Sequence, residues 1–328
     1  LSPTPTPSPP PPADWGALPT VTPPGPDEPT VPPEALQMRA APTATPGEPP
    51  TLTPLPTSTP TSTPDPTPTP VPATGSDDVD MVEIPAGKFV MGISVATSNE
   101  HYREWYRHAT GREVPGLTSL LERVPRLTVT LPTFQIDRLQ VTNARYRRCV
   151  QAGLCGPANL AGTHLPDDYL EDPAYDEYPA SVTWVDAQAY CQWVGKRLPT
   201  EAEWEKAARG TDGRIFPWGD EWDESRVALY NHPQPVGSYP EGASPYDVLD
   251  MVGNLPEWTG DTSAPYPGNS LLKRPPSWYT KKMVRGGWPT TYGGGINATT
   301  STRLALGPNR SPVGFRCVAG PSQAPLAE

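Results

Sequence analysis

Short runs rich in apolar residues open the part of the chain that follows residue 78. Residues 81–92 carry two such runs on either side of a turn, and they predict two short strands. Residues 127–131 alternate between apolar and polar and predict a further strand. The first part of this region is therefore expected to contain short strands joined by turns.

Helix signals lie between and after these strands. Residues 98–109 and 116–123 have helix-compatible sequence, and Thr142 can cap a helix over residues 143–152. Residues 184–194 carry apolar side chains at helical spacing and predict another helix.

A third helix begins after Pro199. Thr200 can cap it, and Glu203 stands three residues later, as in a capping box. After Gly210 the chain is rich in Gly, Pro, Trp and Tyr, which indicates loops and short strands. This mixture predicts an α+β domain rather than a parallel doubly wound sheet.

Residues 1–78 differ from the rest in composition. About half of the 50 prolines of the chain lie there, and Thr-Pro dipeptides recur. Proline fixes φ and removes an amide donor, so we expect a polyproline II tail or linker before one domain at 79–320 and a short tail at 321–328. Four apolar side chains interrupt the tail and are candidate docking anchors: Trp15, Leu18, Leu36 and Met38.

Charge and hydropathy exclude some functions. The net charge is −11 and no cluster of Lys or Arg occurs, which argues against a nucleic-acid partner. No run of about 20 apolar residues occurs, so no membrane-spanning helix is expected. The chain begins at Leu1 without a Met, which fits a secreted, extracellular protein after removal of a signal peptide.

The four cysteines are even in number, and none has a zinc-site spacing. Two disulfides in an oxidising compartment are the preferred interpretation, and four buried free thiols are the alternative.

The order of several motifs resembles the formylglycine-generating-enzyme (sulfatase-modifying factor) family. The resemblance runs over about 240 residues, and the ordered set is specific although each motif alone is weak. The motifs are Ile84-Pro85-Ala86-Gly87 with Met91-Gly92, Val141-Thr142-Asn143, Val182-Thr183-Trp184, Gly195-Lys196-Arg197-Leu198-Pro199-Thr200-Glu201, Pro217-Trp218-Gly219, Asp250-Met251-Val252-Gly253-Asn254, Glu257-Trp258, Arg285-Gly286-Gly287 and Gly314-Phe315-Arg316-Cys317.

The resemblance implies a C-type-lectin-like α+β fold with many loops. Enzymes of the family oxidise a sulfatase cysteine with copper held by two cysteines that follow the Gly-Gly motif. Thr291 and Ile296 stand at those positions, and neither supplies the thiolate that Cu(I) prefers, so no copper is expected. A further family disulfide is also absent, since Ala208 and Ser301 occupy its positions.

Other catalytic patterns are weak. Ergothioneine-type relatives need an iron-binding histidine set, and the chain has four histidines: His101, His108, His164 and His232. His101 and His108 are seven residues apart, without an accompanying ligand pattern. Glu201, Glu203 and Glu205 lie together on the third helix, where capping and surface solvation are the preferred interpretation over acid–base catalysis.

The resemblance also implies specific bonds and ligands. It pairs Cys191 with Cys317, and Cys149 with Cys155 would close a short ring. It places a structural calcium site on the side chains of Asp250 and Glu257 and the carbonyls of Gly253 and Leu255. The second calcium site of the family is expected to be lost, because the loop after Asn231 is short.

The loss of the copper cysteines favours a non-enzymatic function. The leading expectation is an extracellular structural protein that assembles into a surface polymer or filament of identical subunits through its proline-rich tail. One alternative is a ligand-binding surface protein with a variable loop at 288–309, and another is a formylglycine-generating-type oxidoreductase with an atypical site. Asn297 and Asn309 match the N-linked acceptor pattern and make a glycoprotein a further expectation.

Overall fold

The computed structural model describes segments that belong to the unit beginning at Pro66. They are residues 79–92, 126–160, 163, 165–228, 233–263, 280–286, 304–307, 312–320 and 326–327. The tail anchors Trp15, Leu18, Leu36 and Met38 lie outside the described residues, as do the predicted helices at 98–109 and 116–123. The boundaries of the tail and of the domain stay predictions.

The first described sheet has the order β1-β4-β8. It consists of Met81–Ile84 (β1), Phe134–Asp137 (β4) and Val318–Ala319 (β8), with antiparallel neighbours. Ile84 lies opposite Phe134, and Ile136 lies opposite Val318. The sheet therefore joins the beginning of the domain to its end.

The second sheet has the order β2-β3-β9, formed by Gly87–Met91, Leu127–Leu131 and Leu326–Ala327. The strand predicted at 127–131 is thereby confirmed. The two runs within residues 81–92 also form strands, but they do not pair with each other. Gly87, with φ of 134°, redirects the chain between them, so β2 pairs with β3 while β1 pairs with β4.

The third sheet has the order β5-β6-β7 and supports the candidate site. Its strands are Glu257–Thr262 (β5), Lys282–Arg285 (β6) and Leu304–Leu306 (β7). The pairing of β5 with β6 shifts register between Trp258 and Thr262. The short strands and three small sheets fit the predicted α+β class rather than a doubly wound sheet.

The helices at 143–152, 184–194 and after Pro199 are confirmed within one residue of the predicted ends. They are Asn143–Gln151 (α1), Trp184–Trp193 (α2) and Glu201–Arg209 (α3). The hydroxyls of Thr142, Thr183 and Thr200 each accept a backbone N–H of the first turn. Short 3-10 turns lie at Pro173–Tyr175, Glu224–Arg226 and Pro240–Gly242.

Helix α3 is buried along its whole length. All nine of its residues are shielded from solvent, including Glu201, Glu203 and Glu205. The expectation that these carboxylates are solvated at the surface is therefore wrong. Glu203 does complete the predicted capping box with Thr200, but it also pairs with Arg197 at 2.6 Å.

Two apolar clusters hold these elements together. One packs α1 and α2 around Tyr146, Tyr190 and Phe315, and the other packs α3 against the strands of the first two sheets. Trp204 of α3 and Trp258 of β5 are both fully buried. Because a buried aromatic side chain excludes a large apolar area from water, these residues dominate the core.

Both predicted disulfides are confirmed. Cys191 of α2 bonds to Cys317, and Cys149 of α1 bonds to Cys155. The first closes a separation of 126 residues and the second a separation of six. No helix within the described part of the chain is long and apolar enough to cross a membrane.

Candidate functional site

A buried ion-pair cluster connects helix α3 to the end of strand β6. The two oxygens of Glu205 accept hydrogen bonds from Arg285 of β6 and from Arg209 of the same helix. The backbone N–H of Gly92 donates to Glu205 at 2.7 Å. Burial by itself would raise the pKa of Glu205, but Arg285 and Arg209 outweigh that effect and hold the pKa below its ordinary value.

Arg285 is held from several sides at the end of β6. Its guanidinium also contacts Glu201 at 3.3 Å and lies 5.4 Å from the centre of the Trp204 ring. Gly286 follows with φ of 87°, and a Cβ at this position would lie 3.4 Å from both the Met251 carbonyl and the Trp204 ring. Arg285 and Gly286 therefore fix the backbone at the end of β6.

A second buried ion pair lies beside the first and joins Glu257 of β5 to Arg316. Arg316 Nε is 2.8 Å from Glu257 Oε2, and its Nη2 is 2.7 Å from Oε1. Trp204 Nε1 donates to Oε2 at 2.8 Å, and Gln140 Nε2 donates to Oε1 at 2.8 Å. Four donors therefore use the roughly four lone-pair sites of the carboxylate.

The remaining predicted calcium ligands surround this pair. Asp250 has φ of 57° and accepts the N–H of Gly237 at 2.7 Å, while the Leu255 carbonyl accepts from Gln140 at 2.6 Å. Burial raises the pKa of Asp250 to about 6. Gly253 lies in the same loop with φ of 86°.

The calcium site stays a prediction. The four predicted ligand residues lie in one loop, as the resemblance implies. However, the Glu257 carboxylate forms an ion pair with Arg316. A cation bound at Glu257 would have to displace at least one of the four donors that the carboxylate already accepts.

Polar and aromatic side chains also meet at the other end of the β5-β6 pair. Lys282 Nζ lies 3.6 Å from the centre of the Trp184 ring, and burial lowers the pKa of this amine. Asp261 accepts the N–H of Glu201 at 2.6 Å and so holds β5 to the start of α3. The candidate site region thus has a rigid frame with an amine and an indole at its edge.

The sequence identified the motifs that contain these residues but not their roles. Arg316 and Arg285 were recognised only as parts of Gly-Phe-Arg-Cys and Arg-Gly-Gly, and Glu205 was interpreted as a surface group. One signal indicated a distant partner for Glu257: no basic residue that could pair with it lies nearby in the sequence. The pairs made by Arg285 and Arg316 join residues 59 to 84 positions apart, so they depend on the tertiary fold, whereas Glu205 also pairs with Arg209 four residues away.

The donor groups of the described residues do not fit a catalytic metal. No group of three or more His, Cys, Asp or Glu side chains in this part of the chain is arranged to hold a metal ion. All four cysteines are consumed in disulfides, which removes them as thiolate ligands. His101, His108, His164 and His232 lie outside the described residues, as do Thr291, Ile296, Asn297, Asn309, Asn231 and Ser301.

Residues 67–320 match the family model of the sulfatase-modifying factor enzyme 1-like domain. The chain belongs to this FGE-sulfatase family. The predicted resemblance is thereby confirmed over most of the chain. In this member of the family, the motifs contact each other through two buried ion pairs, Glu257 with Arg316 and Glu205 with Arg285.

Hercynine oxygenases are among the similar proteins. The protein of Mycolicibacterium smegmatis is 33% identical over 217 residues, which are 57% of this chain and 46% of the relative. That of Mycolicibacterium thermoresistibile is 37% identical over 175 residues, or 44% of this chain and 39% of the relative. The chain therefore spans less than half the length of these relatives.

A relative of similar length is the inactive C-alpha-formylglycine-generating enzyme 2 of Bos taurus. It is 29% identical over 302 residues, which are 75% of this chain and 90% of the relative. Among solved structures, PvdO from Pseudomonas aeruginosa is 24% identical with a TM-score of 0.52, covering 73% of this chain and 93% of PvdO. That likeness confirms the fold and nothing beyond it.

These relatives correct the expectation of a non-enzymatic structural protein that forms a filament. Hercynine oxygenases at 33–37% identity are enzymes, which contradicts that expectation. The physical argument for the expectation was incomplete. By the family resemblance, Thr291 and Ile296 stand where one copper centre has its cysteines, and the loss of that centre does not exclude other reacting groups.

Proposed function

We propose that this protein is an oxidoreductase of the formylglycine-generating-enzyme type with an atypical reaction centre. The observation that carries the proposal is its identity of 33–37% to hercynine oxygenases. By that similarity, the substrate class is a small organic molecule that is oxidised with oxygen.

We propose that the reaction centre lies in the segment that follows β6, residues 287–303, which are outside the described part of the chain. The ion pairs of Arg285 support this position, because a buried charge network holds the backbone at the end of β6. Preorganised backbone and side chains lower the cost of binding a substrate in one geometry. In this proposal the chain's own contribution is to hold the start of this segment in place.

The proposed centre does not use the family's copper site. Thr291 and Ile296 lack thiolates, and hydroxyl or alkyl groups are poor ligands for Cu(I). Imidazole is a suitable ligand for iron, and the histidines of the chain are the side chains to test for that role. The described residues offer no ligand set for a metal ion.

The extracellular location stays part of the proposal. Two disulfides support it, since such bonds persist in oxidising compartments. Glycosylation at Asn297 and Asn309 and a structural calcium ion at Asp250 remain predictions of the sequence.

Oxygen consumption tests the proposed function. The full chain is purified, incubated with Fe(II), Cu(I) or no metal, and offered hercynine with a free thiol, or a sulfatase-derived cysteine peptide. We expect substrate-dependent oxygen uptake with hercynine and Fe(II), and an oxidised product by mass spectrometry. Absence of turnover with every metal and substrate combination would contradict the proposal.

Single histidine variants test whether these imidazoles hold the metal. His101→Ala, His108→Ala, His164→Ala and His232→Ala are each assayed together with Trp222→Phe, a conservative change that leaves every histidine in place. Loss of turnover in at least one histidine variant, with an unchanged melting temperature, is the expected result. Equal rates in all variants would exclude protein-bound iron held by these imidazoles.

A further inference from the structure

A small pocket lies on the loop that follows helix α3, next to the Glu205 cluster, because Arg209 donates to the carbonyls of Arg214 and Gly213 at 2.6 and 2.8 Å. Its volume is about 260 Å³. The lining residues are Asp212, Gly213, Arg214, Trp218, Gly219 and Asp220. Pockets for drug-sized ligands measure roughly 300–1,000 Å³, so this smaller pocket has room for a ligand of about one ring.

The indole in the pocket is fixed by its surroundings. Trp218 stacks on Phe216 with ring centres 5.3 Å apart and planes within 7° of parallel. Its Nε1 donates to the Glu221 carbonyl at 2.9 Å. Phe216 and Gly219 close a tight turn around it through two backbone hydrogen bonds of 2.8 and 3.2 Å. Phe216 covers one face of the ring and the Trp222 ring centre lies 6.0 Å away, so only the remaining exposed surface of the half-buried indole faces the pocket.

A fixed guanidinium and two carboxylates provide the polar lining. Arg214 binds Asp212 through Nε and Nη2, at 3.0 and 2.6 Å, and its Nη1 donates to the Pro217 carbonyl at 2.9 Å. A guanidinium has five N–H donors, so two remain beyond these bonds. Asp220 accepts the Ile215 N–H with Oδ1, which leaves Oδ2 as an acceptor.

This arrangement selects for a neutral ligand. The carboxylates of Asp212 and Asp220 and the Arg214 guanidinium line the pocket, and the Arg126 guanidinium lies beside Gly213, so the opposite charges balance and a free anion is not favoured. The Arg214 guanidinium, with its remaining donors, disfavours an organic cation. Donors and acceptors side by side match hydroxyl groups, which do both, and an indole surface matches the apolar face of a ring.

We propose that this pocket binds one ring of a neutral saccharide. The ring stacks on Trp218, and neighbouring hydroxyls bond to Arg214 and Asp220. The binding does not depend on the oxidation proposed above, so either proposal can fail alone. Because the lining side chains are already held by the protein, little side-chain freedom is lost on binding.

Saturation-transfer NMR on the full chain tests the proposal. The probes are methyl glycosides of glucose, galactose and mannose and N-acetylglucosamine, with choline and acetate as charged comparisons. A single-ring ligand at an open site is expected to bind with Kd on the order of 1 mM, so probes are used at about 10 mM. We expect transfer to at least one saccharide and none to choline or acetate.

Variants connect the signal to the pocket. Trp218→Ala and Asp220→Asn should each weaken saccharide binding about tenfold or more, because they remove the stacking surface and a charged acceptor. Trp218→Phe retains a ring and should keep part of the binding if Trp218→Ala proves unstable. Trp222→Phe changes the same aromatic cluster without changing the lining, and it should bind as the parent protein does.

Three results would overturn the proposal. One is the absence of saccharide binding at about 10 mM. Another is preferential binding of choline or acetate. The third is saccharide binding that Trp218→Ala, Trp218→Phe and Asp220→Asn all leave unchanged.

Discussion

Arg316 and Glu257 form a fully buried, two-pronged ion pair across 59 residues of sequence. The same guanidinium donates to the carbonyls of Asp137, Arg138 and Leu249, at 3.0, 3.1 and 2.8 Å. One side chain therefore ties the segment before β8 to three other parts of the domain.

Replacing Arg316 by Met should destabilise the protein by about 3–5 kcal/mol, because it leaves the Glu257 charge buried without its partner. Arg316→Lys should also be destabilising, since an ammonium cannot reproduce the planar fork. Urea denaturation measures both effects, and the exposed Arg148→Met is the control. A loss below about 1 kcal/mol for Arg316→Met would mean that the pair contributes little.

Glu205 should make stability sensitive to acid. Its pKa is lowered in the folded protein, so its stabilising contribution is present above the ordinary value of 4.5 and is lost as pH falls through the folded pKa. Glu205→Gln should cost about 3–5 kcal/mol at pH 7, and this cost should shrink below about pH 4.5.

Denaturation curves between pH 3 and 7 check this dependence. Glu221→Gln, at an exposed carboxylate, is the matched control and should follow the parent protein. A cost for Glu205→Gln that stays constant over the whole range would show that its charge is not involved.

The two disulfides should differ in their contribution. On the chain-entropy model, the bond between Cys191 and Cys317 stabilises by about 5 kcal/mol and that between Cys149 and Cys155 by about 2 kcal/mol. Paired Cys→Ser variants compared by urea denaturation measure the two values. Equal losses would show that native-state strain or residual structure in the unfolded chain outweighs loop length.

Chelation separates two arrangements of the Asp250–Glu257 loop. The family resemblance predicts that exhaustive EDTA treatment lowers the melting temperature, whereas the four hydrogen bonds that Glu257 accepts predict no change. A calcium ion at 100 times its Kd would instead contribute about 2.7 kcal/mol. A fall in melting temperature that Ca²⁺ reverses and Mg²⁺ does not would support the calcium site that the family resemblance predicts.

Local signals predicted the helices well. Thr142, Thr183 and Thr200 each stand directly before a helical pattern, and each caps a helix in the structure. Capping depends on residues within one helical turn, so it can be predicted from a single sequence. The cysteine pairing was also correct, but the pairing of Cys191 with Cys317 came from the family resemblance rather than from spacing.

Pairings between residues far apart in the sequence could not be predicted in the same way. The runs within residues 81–92 suggested neighbouring strands, yet they join different sheets because their hydrogen-bonding partners lie elsewhere in the chain. Glu205 was assigned to the surface because a helix with three acidic residues resembles a solvated face. The ion pairs with Arg285 and Arg209 offset the cost of burying its charge, and Arg285 belongs to another element of the fold.

The sequence by itself determined the α+β class, the family and the capped helices. These depend on residue identity and local spacing. Only the tertiary structure decided that Glu257 forms an ion pair with Arg316, that helix α3 is buried and that Arg214 and Trp218 line one pocket. Such contacts arise when distant segments pack together, and the energy of a buried charge depends on the partners that packing provides.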